Sequence, residues 1–283
     1  LPRRVIDVSK AYPKVILTQG ESEPYACLSY CWGGQQNLVT TRANVNEHAC
    51  GIKAELPRSI QDAITVTRRL GFKYLWVDSL CIVQDDEGDR EGQIELMGEI
   101  FANAYVTISA ATAKSCQDGF LNERSHQSGS RPPPVDVACL LPDGREDTIQ
   151  LHQRGSASIR EPIHERSWAL QEDLLSPRLL FFGETEVSWS CTCESSQPSG
   201  MRRVLFPWNK TAIRQAWLRS FWEDVITEYS CRKLTRPSDK LPALAGLASK
   251  FSEISNMQPS DYVAGFWRPW LKRHLVWRVS VPG

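Results

Sequence analysis

No stretch of this chain approaches the roughly 20 consecutive apolar residues a membrane-spanning helix needs, so no span is expected. Charge of one sign is missing too: 33 Lys and Arg stand against 33 Asp and Glu, a formal net charge of zero. A nucleic-acid-binding domain advertises a basic excess or patch, and none is present. The chain has no Gly-x-x-x-x-Gly-Lys loop to cradle phosphates, which argues against an NTPase. Histidine is scarce, at five residues. None of His48, His126, His152, His164 and His274 has a local context that marks it as the partner of a nucleophilic thiol. Heptads and internal repeats are absent as well.

The nine cysteines are odd in number and follow no framework spacing. Cys191-Thr-Cys193 is half a metal site without a matching pair, so no bound metal is expected. No apolar signal-peptide core opens the sequence. Together these features imply free thiols in a reducing, cytoplasmic setting, where the sequon at Asn209 would go unused.

Ten tryptophans and 41% apolar residues in 283 are enough for a substantial core. Val15–Leu17 and Ala26–Tyr30 read as strands, the second stopping at Trp32-Gly33-Gly34. Residues 57–70 read as a helix with Pro57 at its first position, an apolar face from Ile60 to Leu70, and Gly71 as its stop. Lys73–Val77 is a short strand ending at Asp78. Residues 91–104 are amphipathic with helical spacing, and Tyr105–Ala110 is a third strand. This alternation predicts a parallel sheet flanked by helices. The rhythm breaks over about 114–164, a β-rich insertion with strand-like Val135–Leu141 and Thr148–Leu151. It resumes with a helix at Trp168–Leu175, a strand at Arg178–Phe182 and a hairpin-like Glu186–Cys191. The last part, from about Thr211 to Tyr229 and Lys240 to Phe251, is expected to be helical. The organisation expected is one domain over 1–195 and a helical extension over 196–283 packed on it.

Ligands of open parallel sheets bind beyond the carboxyl ends of the strands, where strand order reverses. Tyr30, Trp32 and Gly33 follow one strand, and Asp78 and Cys81 follow the next. Each also has a plain structural role open to it: Trp32 as core, Gly33-Gly34 as a turn, Asp78 as a cap on backbone N–H groups, Cys81 as an inert apolar thiol. In Arg166-Ser-Trp-Ala-Leu-Gln-Glu172 the carboxylate of Glu172 comes one helical turn after Trp168, so the two are expected to share a face.

Tyr25-Ala-Cys-Leu-Ser-Tyr-Cys-Trp-Gly33, Leu56-Pro-Arg-Ser-Ile-Gln-Asp-Ala63, Tyr74-Leu-Trp-Val-Asp-Ser-Leu-Cys-Ile82, Met97–Ala110 and Arg166–Glu172 together resemble the heterokaryon incompatibility (HET) domain of filamentous fungi. The resemblance implies a role in non-self recognition and regulated cell death. More distantly, Cys27–Tyr30 and Trp168–Glu172 are similar to the first strand and the Trp-Cys-x-x-Glu helix of TIR domains. Here Ala169 replaces the cysteine, and one extra residue separates Trp from Glu. That likeness implies a TIR-like, flavodoxin-like α/β sheet and cleavage of NAD+ as substrate, with Glu172 as catalytic acid. Tyr30, Trp32, Gly33, Asp78, Cys81, Arg166 and Trp168 would then be substrate-binding, with no cofactor. The alternative is a non-enzymatic module that self-associates or recruits cell-death partners, in which Arg166 and Glu172 are structural.

Overall fold

The computed structural model describes residues 1–34, 36, 38–122, 135–140, 144–151, 160–184, 186–191 and 215–275. His126, His152, Cys193, Asn209, the start of the last helical region and the boundary placed at 195 lie outside them.

Seven strands form one sheet: β1 (Arg4–Asp7), β2 (Lys14–Leu17), β3 (Tyr25–Ser29), β4 (Tyr74–Trp76), β5 (Val106–Ser109), β8 (Arg178–Phe182) and β9 (Val187–Cys191), in the order β2-β1-β4-β3-β5-β8-β9. The insertion contributes a separate antiparallel hairpin, β6 (Val135–Leu140) with β7 (Glu146–Leu151). The four middle strands β4, β3, β5 and β8 run parallel, as the strand–helix alternation requires. The sheet is nevertheless mixed, because β1, β2 and β9 are antiparallel to their neighbours. β1 was not foreseen. Its Arg-Val-Ile-Asp sequence offers only two apolar residues, yet all four of its residues are buried.

The helices are α1 (Val45–Cys50), α2 (Arg58–Arg69), α3 (Asp78–Cys81), α4 (Glu87–Asn103), α5 (Ser167–Leu175), α6 (Gln215–Ser230), α7 (Pro242–Ser255) and α8 (Leu271–His274). Apolar side chains at helical spacing in α2, among them Ile60, Ala63 and Ile64, are buried against β3 and β4. The one-turn α3 was not expected as a helix; it begins directly at the end of β4. α4 and α5 pack together, and α7 of the extension covers both. The contact depends on two glycines: a Cβ on Gly98 would stand 2.7 Å from the Gly246 Cα, closer than carbon atoms approach.

One apolar cluster runs from Ile6 and Val8 through Leu28, Trp76 and Phe101 to Trp222, Phe251 and Trp267, so the sheet and the extension share a core. The extension adds a short β10–β11 ribbon (Tyr262–Val263 with Phe266–Trp267), which leads into α8. Among the described residues no helix is long and apolar enough to cross a membrane.

Candidate functional site

β3 pairs with β4 on one side and β5 on the other, so the strand order reverses there, and the loops beyond these three strands meet. Gly33 sits at a φ of 76°, and a Cβ there would lie 2.4 Å from the Ser115 Cβ of the loop after β5. Only glycine combines that backbone conformation with so close an approach. The Cys116 amide donates to the Trp32 carbonyl across 3.2 Å, which joins the two loops.

The loop after β3 also reaches the loop after β4. Trp32 Nε1 donates to Asp78, at 3.0 Å from Oδ2 and 3.2 Å from Oδ1. Asp78 in turn accepts from the Ser79 amide at 2.6 Å. Its carboxylate therefore serves both as the backbone cap and as a partner of the tryptophan. The buried Tyr30 hydroxyl lies 2.8 Å from Gln36 Oε1 and 3.0 Å from Ser79 Oγ, closing a second tie between the same loops.

Residues 160–168 bring the third side. Arg166 precedes α5, and its guanidinium donates to the Tyr30 carbonyl. It is placed so that it interacts with both Glu172 and Asp78. Glu172 is 3% exposed and accepts from Ser29 Oγ across 2.5 Å, at the last residue of β3. Burial pushes the carboxyl of Glu172 above the usual carboxylate range; Arg166 and the Ser29 hydroxyl oppose the shift without cancelling it. Burial raises Asp78 as well, against the same arginine. Two acids thus lie within electrostatic reach of one guanidinium, with no ion pair at contact distance among these described residues, and burial favours the protonated form of each.

Of the residues singled out in the sequence, Tyr30, Trp32, Asp78, Arg166 and Glu172 come together at this centre. Gly33 shapes the loop beside it. Cys81 is fully buried in the core with its thiol pushed up to about 12 by burial, in keeping with an inert thiol. Trp168 does not share the direction of Glu172. Its indole reaches away to Asp239 of the extension, at 3.2 Å, while Glu172 turns inward to β3.

Two contributors were not singled out as site residues. Ser29 ends β3 and holds the Glu172 carboxylate. A segment of the extension, from Arg232 to Asp239, holds the backbone around Arg166: Lys233 forms a parallel bridge with Arg166, and its carbonyl accepts from the Ser167 amide at 3.0 Å. Arg232 donates to the Arg166 carbonyl at 3.2 Å. Nothing local in the sequence signals these partners. Among the described residues no group of three or more His, Cys, Asp or Glu is arranged to hold a metal ion.

A family model described as "Heterokaryon incompatibility protein (HET)" matches residues 25–172, from the first residue of β3 to Glu172. The chain is also similar to "Heterokaryon incompatibility protein 6, OR allele" of Neurospora crassa, at 28% identity over 92 residues. That alignment covers 30% of this chain and 14% of the relative, so the two share one segment of a much longer protein. No solved structure matches.

Proposed function

The chain belongs to the heterokaryon incompatibility family, and from that premise we propose that it is a fungal non-self-recognition and cell-death effector whose buried acidic centre cleaves NAD+ at the nicotinamide–ribose bond. The observation that carries the reading is the convergence of Asp78 bound by Trp32, Glu172 bound by Ser29 and Arg166 bound to the Tyr30 carbonyl beyond the carboxyl ends of β3 and β4, the place where open α/β sheets bind ligands. The parallel strands, taken in chain order, lie side by side as second, first, third, fourth. This is the flavodoxin-like order and supports the TIR-like reading of the fold.

Cleavage of this bond develops positive charge on the ribose while nicotinamide leaves as a neutral base, and a single water molecule then bonds to the ribose carbon and gives up a proton. A strong general acid is therefore not needed, and one carboxylate in a water-excluding site stabilises the transition state. Ordinary glycosidases need two carboxyl groups with separate duties. In our reading Glu172 faces the ribose, Asp78 and Arg166 orient hydroxyls or phosphates, and Trp32 offers an aromatic surface.

Incubating the full chain with NAD+ and measuring nicotinamide tests this directly. Wild type should release nicotinamide, and Glu172→Gln should be slower by on the order of a hundred-fold or more, the usual effect of removing a transition-state electrostatic contact.

A second reading, a self-associating module that signals through partners without chemistry, is favoured by one observation: Glu172 is 3% exposed and already has Ser29 as a partner. NAD+ left intact by self-associated wild-type protein would decide for it.

A further inference from the structure

The extension holds a cleft of about 270 Å³ between α6, β11 and α8, elements that carry none of the acidic centre. Its apolar walls are Trp222, Ile226 and Phe266, and its polar side is Glu223, Arg273 and His274. His274 is 7% exposed, yet among the described residues neither of its ring nitrogens has a hydrogen-bond partner. Buried polar atoms are almost always satisfied, so two orphans on one ring at a cleft wall call for a missing partner.

The charges say what kind of partner. One oxygen, Glu223 Oε1, is approached by Arg273 Nε at 3.3 Å, His274 Nε2 at 3.7 Å and Arg219 Nε at 3.8 Å. The last nitrogen is itself buried without a hydrogen bond. Among the described residues the charged groups facing His274 are Glu223, Arg219 and Arg273, two cations against one anion, a surplus of one positive charge. Burial lowers the imidazole pKa, which favours the neutral ring, a form with one N–H to donate. A surplus guanidinium and an idle N–H beside aromatic walls suit an anion attached to a ring. The volume, at or just below the usual range of roughly 300–1,000 Å³, limits that ring system to a small one.

We propose that this cleft is a binding site for a compact aromatic carboxylate, its ring against Ile226 and Phe266 and its carboxylate accepting from His274 and Arg273.

Calorimetric titration of the full chain with benzoate and with the neutral isostere benzamide tests the proposal. Benzoate should bind saturably at one site per chain, and benzamide at least tenfold more weakly. His274→Phe and Arg273→Gln should each weaken benzoate about tenfold or more while the circular dichroism spectrum stays that of the wild type. Because Arg273 is largely exposed (65% of its side chain), its variant decides the matter should His274→Phe fail to fold. Absence of saturable binding up to millimolar benzoate, equal binding of benzamide, or an Arg273→Gln protein that binds like wild type would each overturn it. Because benzamide also resembles nicotinamide, its binding is read as the difference between wild type and Arg273→Gln, which lies outside the acidic centre and moves independently of NAD+ cleavage.

Discussion

Trp168 Nε1 donates to Asp239 Oδ2 across 3.2 Å, tying the helix that carries Glu172 to a segment beyond the family-matched residues. Lys233 and Arg232 hold the same stretch from beside it through the Arg166 and Ser167 backbone. The geometry of the acidic centre therefore depends on the extension as well as on the sheet.

Removing that tie should loosen α5 locally. A hydrogen bond to a charged group contributes about 1.5–3 kcal/mol, less where it is partly exposed. In Asp239→Ala the amides of residues 166–172 should exchange several-fold faster while those of β3 and β5 stay protected. Hydrogen exchange followed by mass spectrometry reads both; unchanged exchange over 166–172 would show that the tie is idle.

The raised pKa of Glu172 fixes a sign. Between its ordinary value of 4.5 and its higher folded value, the folded protein holds a proton that the unfolded chain has lost. Stability from this group is therefore fully present below 4.5 and is lost as pH rises through the folded pKa. Glu172→Gln removes the titration. Urea melts of the two proteins from pH 4 to 8 should shift in favour of the variant as pH rises; a constant difference would mean that Glu172 titrates normally.

Asp89 works in the opposite direction. It is buried, which alone would raise its pKa, but Arg4 at 2.8 and 2.9 Å, Arg3 at 3.0 Å and the Val83 amide at 2.9 Å hold it below the usual carboxylate range. Its contribution is present above its unfolded pKa and is lost as pH falls through the folded value. Asp89→Asn leaves Arg4 buried without its counter-charge and should destabilise by about 3–5 kcal/mol. Chemical denaturation at pH 7 measures this, and the gap to wild type should narrow in acid.

Gly246→Ala tests the helix contact. The added Cβ would meet Gln171 Oε1 at 2.6 Å and the Gly98 Cα at 2.7 Å, and the second neighbour is backbone. Overpacking of this kind typically costs about 1–3 kcal/mol, so the melting temperature should fall by several degrees. An unaltered melt would mean that α7 can slide on α4 without penalty.

The four parallel strands were legible because each is a short apolar run closed by a turn or a polar residue: Ala26–Ser29 before Trp32-Gly33, Leu75–Val77 before Asp78. Strand β1 was not, because Arg4 looks like a surface residue until Asp89, 85 positions away, turns it inward. The direction of β2 depends on pairing, which hydrophobic pattern does not encode, whereas the hairpin-like stretch 186–191 does form β9, antiparallel to β8. At the site, residue types after successive strands singled out Trp32 and Asp78, which the structure joins, and the stretch Arg166–Glu172 singled out the residues that pack beside them. Helical spacing failed for Trp168, since its indole is drawn to an acceptor 71 positions on and Glu172 to a hydroxyl 143 positions back. Spacing places side chains on a helix; what they turn toward is decided by partners from elsewhere in the fold.

The glycine contact between α4 and α7 also bears on how the protein is made. Strands β1 to β5 can leave the ribosome and begin to pair while α5 and α7 are still unmade. The surface of α4 around Gly98 and that of α5 around Gln171 then wait, uncovered, until α7 has emerged through Ser255. Transiently exposed apolar faces of this kind are where newborn chains aggregate or engage chaperones. A fragment cut at Glu172, the end of the family match, would remain in that nascent condition for good.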